Sequence, residues 1–221
     1  MERITDAFVW PTRDPEWVSK VLLNALILVI PIVGAINALG WMLATLDNLR
    51  RGEERLAPAD FSHLERGARL FVVQLVYSLA VVMVAALLYV PAFGLAVFSG
   101  NGNGNPGLLA VALFLYAFAF GVSTLGSLAL LFITPAYVLA TDAGGIGAGL
   151  TVGGVLKRSR LNLSNTLIAG LMLIAASFIS SLGVFACFIG VFATAAYAFA
   201  MQAWIIRSFE VGSIQDQAKP V

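Results

Sequence analysis

Few side chains in this sequence could do chemistry, and they are scattered. His63 is the single histidine and Cys187 the single cysteine. One histidine cannot make a histidine-based zinc or haem pair. One cysteine can neither close an internal disulfide nor build a cysteine-rich metal centre. Cys187 sits in the apolar run FACFIG, where a buried, inert thiol is expected. No nucleophile motif accompanies His63, so no serine–histidine–acid set forms, and a surface position is expected for it. Glu53 and Glu54 stand beside Arg50, Arg51 and Arg55 and read as a solvated, salt-bridged loop rather than an acid–base pair. The glycines of ATDAGGIGAGLTVGG lack the Gly-x4-Gly-Lys-Ser/Thr spacing and follow no strand, so they are not a phosphate loop. Asp47 and Asp142 fall at the edges of apolar runs, where headgroups and water are the expected surroundings. The expectation is therefore no catalytic residue, no cofactor and no metal.

The elements that carry these residues are mostly hydrophobic. The chain has 221 residues, 60% hydrophobic and only 11% charged, against about 25% charged in a soluble domain. A net charge of +1 lacks the basic footprint of a nucleic-acid binder. These numbers predict an all-α integral membrane protein whose partner is the lipid bilayer.

Residues 1–17 form an interfacial lead-in without an apolar signal-peptide core, so the first membrane segment is expected to do the targeting. Trp10 and Trp17, with Phe8, are residue types that favour the headgroup layer. Asp14-Pro15 has the form of a helix start. Residues 18–46 are a broken hydrophobic element of 29 residues interrupted by Pro31, where one crossing needs about 20 and two need about 40. One kinked crossing and one re-entrant hairpin both fit. Residues 47–69 are a charged loop in which Ser62-His63-Leu64-Glu65 resembles a capping box. Spans are predicted at 70–98, ending around Pro91 and Gly94, and at 108–133, ending or kinking at Thr134-Pro135. Between them, 99–107 is an uncharged Gly/Asn loop suited to the outer face. Residues 136–164 form a cytoplasmic interfacial segment with Lys157, Arg158 and Arg160 near lipid headgroups. Residues 165–206 are long enough for a hairpin turning near Ser180 to Gly183 or at Gly190, and 207–221 are a polar tail.

Basic residues test this layout, because positive loops mark the cytoplasmic side. All basic segments share that side only if the first and last apolar runs each return to the face they entered. That favours the re-entrant element, with both termini cytoplasmic in a prokaryotic inner membrane. Such a turn at membrane depth must be covered by protein.

The N-terminal third resembles a family of uncharacterised prokaryotic membrane proteins, domain of unknown function 4013 (DUF4013). The resemblance is carried by DAFVWPTRDPEW (Asp6 to Trp17), IPIVG (Ile30 to Gly34), Gly40 and LRRGEERLAP (Leu49 to Pro58), and by CFIGVFATAAYAFAMQAW (Cys187 to Trp204) near the end. It implies a small multipass membrane protein and supplies no catalytic residues.

The expected architecture is about four full transmembrane helices plus an N-terminal re-entrant or Pro-kinked element and interfacial amphipathic segments. Spans 70–98, 108–133 and 165–206 contain no charged residue, whereas intramembrane catalysis and ion coupling usually need one. Gln74 and Gln202 are the costliest polar side chains within them. Gly121, Gly126, Gly183 and Gly190 allow close helix packing. The expected function is a non-catalytic scaffold or accessory subunit, as homo-oligomer or with other membrane-protein subunits. The alternative is a transporter or channel for a small neutral or lipophilic solute, its path lined by Gln74 and Gln202.

Overall fold

The computed structural model describes residues 4–100 and 105–217, with side chains described for 6–99, 105–185 and 190–214. The centre of the Gly/Asn loop, Arg3, Lys219 and the side chain of Cys187 lie outside those residues. Among the described residues, seven α-helices follow two short 3-10 turns (Ile4–Phe8 and Trp10–Arg13): α1 (Trp17–Leu28), α2 (Val33–Arg50), α3 (Leu64–Gly100), α4 (Pro106–Leu150), α5 (Val152–Leu161), α6 (Leu163–Leu182) and α7 (Cys187–Gln217). No strand occurs among the described residues. Leu64–Ser99, Pro106–Leu150 and Leu163–Phe185 are long and apolar enough to cross a membrane.

The chain divides into two compact units, one of residues up to Val73 and from Leu131 on, the other Gln74–Leu130. The first is built around α7. This helix is apolar nearly all round, and Ala196, Ala200, Met201, Ala203, Ile205, Ile206 and Phe209 are buried on it. A helix without a polar face belongs in a core, and α1, α2 and α6 pack against it. A 3-10 turn at Gly183–Ala186 joins α6 to α7.

Pro31 breaks the first apolar run, as its missing N–H requires. The turn places Ile32 at φ 64°, a strained value for a β-branched residue. With 12 residues, α1 is about 18 Å long, short of the roughly 30 Å hydrocarbon core. It forms a hairpin with α2. Arg13 and Asp14, just before α1, bond to Glu54 and Leu56, just after α2, so the chain leaves at the level where it entered. Val29, Ile30, Ile32 and Val33 at the tip are exposed.

Three boundaries differ from expectation, and at Pro135, where an end or a kink was expected, the helix does not end. Asp14 does not cap α1, which begins at Trp17; its Oδ1 accepts the Glu16 N–H at 2.9 Å. The Ser62 hydroxyl bonds to Asp60, so an Asp-based turn leads into α3. Pro91 lies inside α3 rather than ending it, and Pro135 lies inside α4. Beyond Pro135 the helix is held by burial of Ala136, Tyr137, Val138 and Leu139, and it breaks only at Gly145, φ 72°.

The charged loop at 47–69 is corrected most. Residues 53–59 have no regular structure and form a strap along α2 whose peptide groups are met by side chains of the helices. The Trp41 indole donates to the Ala57 carbonyl at 2.9 Å, Asn37 donates to the Asp60 carbonyl at 2.8 Å, and the Ala57 N–H reaches Thr45 Oγ1 at 3.2 Å. Asn37, Trp41 and Thr45 are fully buried. Side chains inside α2 thus meet the peptide groups of an irregular strap at and near its buried residues, Leu56 and Ala57.

The second unit contains the part of α3 from Gln74 on and the part of α4 up to Leu130. Gly126 lets them approach, since a Cβ there would lie 3.0 Å from Val81 Cγ1. Tyr89 and Tyr116 meet at 5.9 Å between ring centroids.

Candidate functional site: a charge network joining four helices

The first unit gathers charged residues that are far apart in the chain. Helix periodicity puts Asp47 and Arg50 on one face of α2. Glycine contacts bring the start of α3 against that helix: a Cβ on Gly40 would lie 1.9 Å from the His63 carbonyl oxygen, and one on Gly67 would lie 1.9 Å from that of Ile36. This places Arg66 beside Asp47. The buried segment of α4 after Pro135 delivers Asp142, and α7 delivers Arg207 and Glu210.

Asp142 is the hub, with only 8% of its side chain exposed. Arg50 Nη1 donates to Asp142 Oδ2 at 2.7 Å and to Asp47 Oδ1 at 3.0 Å. The rest of its guanidinium forks onto Glu210, Nε to Oε2 at 3.1 Å and Nη2 to Oε1 at 2.9 Å. Arg66 donates from Nε and Nη2 to Asp142 Oδ1, at 3.0 and 2.6 Å, and also bonds to Asp47. Arg207 Nη1 donates to Glu210 Oε2 at 2.8 Å. Three acids meet three arginines, and the charges cancel.

Burial alone would push the Asp47 carboxyl up, but hydrogen bonds from Arg66 and Arg50 outweigh it and hold the group below its ordinary value. Burial likewise opposes the charge on Arg50, and the bonds to Glu210 and Asp142 outweigh that, raising its pKa. Asp47 is thereby moved away from the near-neutral range that general acid–base work needs. What the arrangement does is tie α2, α3, α4 and α7 together. A cavity of about 260 Å³ adjoins it, lined by Ser62, Glu65, Arg66, Arg69 and Asp142 among others.

The family described as a protein of unknown function (DUF4013) matches residues 23–214. The chain belongs to that family. No curated protein and no solved structure matches it. The family match covers every member of the network.

Other singled-out residues of this DUF4013 chain fall elsewhere. Gln74 belongs to the second unit and is exposed, and Gln202 belongs to α7 and is half-buried. Of the four glycines, Gly126 sits at a helix contact, whereas a Cβ on Gly121 would meet nothing within 4 Å. Gly183 closes against Gly190, whose carbonyl oxygen would be 2.5 Å from an added Cβ. Lys157 and Arg160 are exposed on α5, and Arg158 is half-buried.

Trp10 is a correction. It was expected among lipid headgroups, yet it is fully buried. It stacks on Trp204 at 5.6 Å and donates from its indole to the Ala200 carbonyl at 3.2 Å. Once that N–H has a partner, burial gains the whole ring area. Trp17 is half-buried and meets Tyr197 edge-on at 6.0 Å. Asp142 is a second correction, facing arginines rather than headgroups and water. A signal for it existed: it is the only charged residue between Arg69 and Lys157, and a lone charge in an apolar stretch demands a partner.

Proposed function

We propose that this chain is a non-catalytic multipass protein of a prokaryotic inner membrane, with both termini cytoplasmic. It acts as a scaffold or accessory subunit, assembling with copies of itself or with other membrane-protein subunits. The observation that carries this reading is the uncovered surface of its long helices. In their most apolar windows only 17% of α3 and 11% of α4 is buried within the chain. Helices in lipid associate through close packing and small residues, and the open space around Gly121 suits a helix of another chain. The charged side chains of the network are paired with one another, which suits a rigid anchor more than a reaction centre.

The test is photo-crosslinking in native membranes from a residue analogue placed at position 121. A discrete product of defined mass is expected. A strictly monomeric protein with no crosslinked partner would overturn the proposal. Solute flux abolished by Gln74→Leu and Gln202→Leu would replace it with transport.

A further inference from the structure

The cavity beside the charge network has walls of both signs. Arg66 and Asp142 form its inner side and are committed to each other and to Asp47 and Arg50. Glu65 and Arg69 also line it and are its solvent-facing charges, one turn apart on α3, paired at 2.5 Å with 83% and 55% of their side chains exposed. An exposed i,i+4 pair is weak, so both residues can exchange partners easily. Arg69 is the last charged residue before the apolar run that opens at Leu70, and Val72 follows it with 39% exposure. In a helix that enters a bilayer, this order puts Arg69 where headgroups meet hydrocarbon.

We propose that this cavity binds the headgroup of a zwitterionic membrane lipid with a primary ammonium, its phosphate on Arg69 and its ammonium on Glu65; this rests on the chain's being embedded in a membrane. The volume, about 260 Å³, is below that of pockets enclosing a whole drug-sized ligand, about 300–1,000 Å³. It takes a headgroup and leaves the acyl chains outside along α3. Charge selects the headgroup. When Arg69 turns to a phosphate, Glu65 loses its partner, and only a lipid carrying its own cation replaces it. An anionic lipid leaves Glu65 uncompensated, and a quaternary ammonium offers it no N–H. Side chains at i and i+4 lie about 5–6 Å apart at Cβ, a separation that a phosphoethanolamine group bridges.

The experiment is native mass spectrometry of the full chain in detergent with equimolar phosphatidylethanolamine, phosphatidylcholine and phosphatidylglycerol. Phosphatidylethanolamine should be retained roughly tenfold over the others, the scale of one charge-assisted hydrogen bond. R69Q should lower retention of all three. E65Q should erase the preference over phosphatidylcholine while keeping phosphate-driven binding. Both positions are exposed, so unchanged melting temperatures are expected alongside. Equal retention, a preference for phosphatidylglycerol, or indifference to both variants overturns the proposal. Displacement by inorganic phosphate at the concentration where soluble phosphoethanolamine competes also overturns it, because the ligand is then a free phosphate and the ammonium contributes nothing. Extraction of the protein from native membranes by alkaline carbonate would instead mark failure of the membrane reading itself.

Discussion

Asp14 shows how much one side chain holds. Its carboxylate is nearly fully buried and accepts from Lys20 Nζ, the Glu16 N–H and the Leu56 N–H, each at 2.9 Å. Burial would raise its pKa, but these donors lower it below the ordinary value. A carboxylate depressed on folding stabilises the fold above its unfolded pKa, about 3.9, and that contribution is lost as pH falls through the folded value. Asp14→Asn presents an amide to donors that need an acceptor. It should cost about 1.5–3 kcal/mol at neutral pH, as for a hydrogen bond to a charged group, read as a lower melting temperature in detergent. The gap between variant and wild type should shrink as pH falls below about 4; a gap indifferent to pH would show that the charge is not what matters. The sequence marked Asp14 by its Pro15 neighbour and suggested a helix cap. Its actual partner amide at Leu56 was not readable, because backbone donors carry no residue signature.

At the scale of elements, the tightest contact is the crossing of α2 and α3 at Gly40 and Gly67. The atoms in the way of an added Cβ are carbonyl oxygens of Ile36 and His63, which belong to the backbone and cannot rotate aside. Gly67→Ala must therefore part the helices, at about 1–3 kcal/mol or more for overpacking, and pull Arg66 away from Asp47. Gly121→Ala meets nothing within 4 Å and should leave the melting temperature of the monomer unchanged. Equal melting temperatures for the two variants would contradict a close crossing. Density of small residues pointed to Gly121, Gly126, Gly183 and Gly190, in the apolar spans. It passed over Gly67, which lies among charged residues, because the need for glycine is set by a neighbour's backbone that composition does not show. The break at Pro31 and the α6–α7 turn were legible, since proline chemistry and segment length are local properties. The run of α4 through Pro135 without an end was less so, because burial of Ala136 to Leu139 sustains a helix that local rules would stop; α3 runs through Pro91 with mostly exposed neighbours, and nothing in its packing explains that.

At the scale of the whole molecule, the first unit brings Arg50, Arg66 and Arg207 together. Arg50 reaches Glu210 across 160 positions and Arg66 reaches Asp142 across 76. Asn165 at the start of α6 donates to the Phe209 carbonyl at 2.8 Å, and Thr166 donates to that of Ser159 on α5 at 2.6 Å. The ends of α2, α5 and α7 and the starts of α3 and α6 thus share one level. Counting basic residues against segment lengths could not reach these pairings; the arginines of 47–69 were visible, but Glu210 and Asp142 as their partners depend on contacts between distant helices. The arrangement makes a topological prediction for single cysteines in a Cys187→Ser background. Glu53→Cys and Lys157→Cys, both at exposed positions, should react with an impermeant thiol reagent only in inside-out vesicles. Asn105→Cys, exposed just before α4, should react only in intact spheroplasts, because the helix Leu64–Ser99 that precedes it is long and apolar enough to cross a membrane. Labelling of Glu53→Cys and Lys157→Cys from opposite faces would break the shared level. Labelling of all three from one face would leave that level intact and show instead that α3 does not cross.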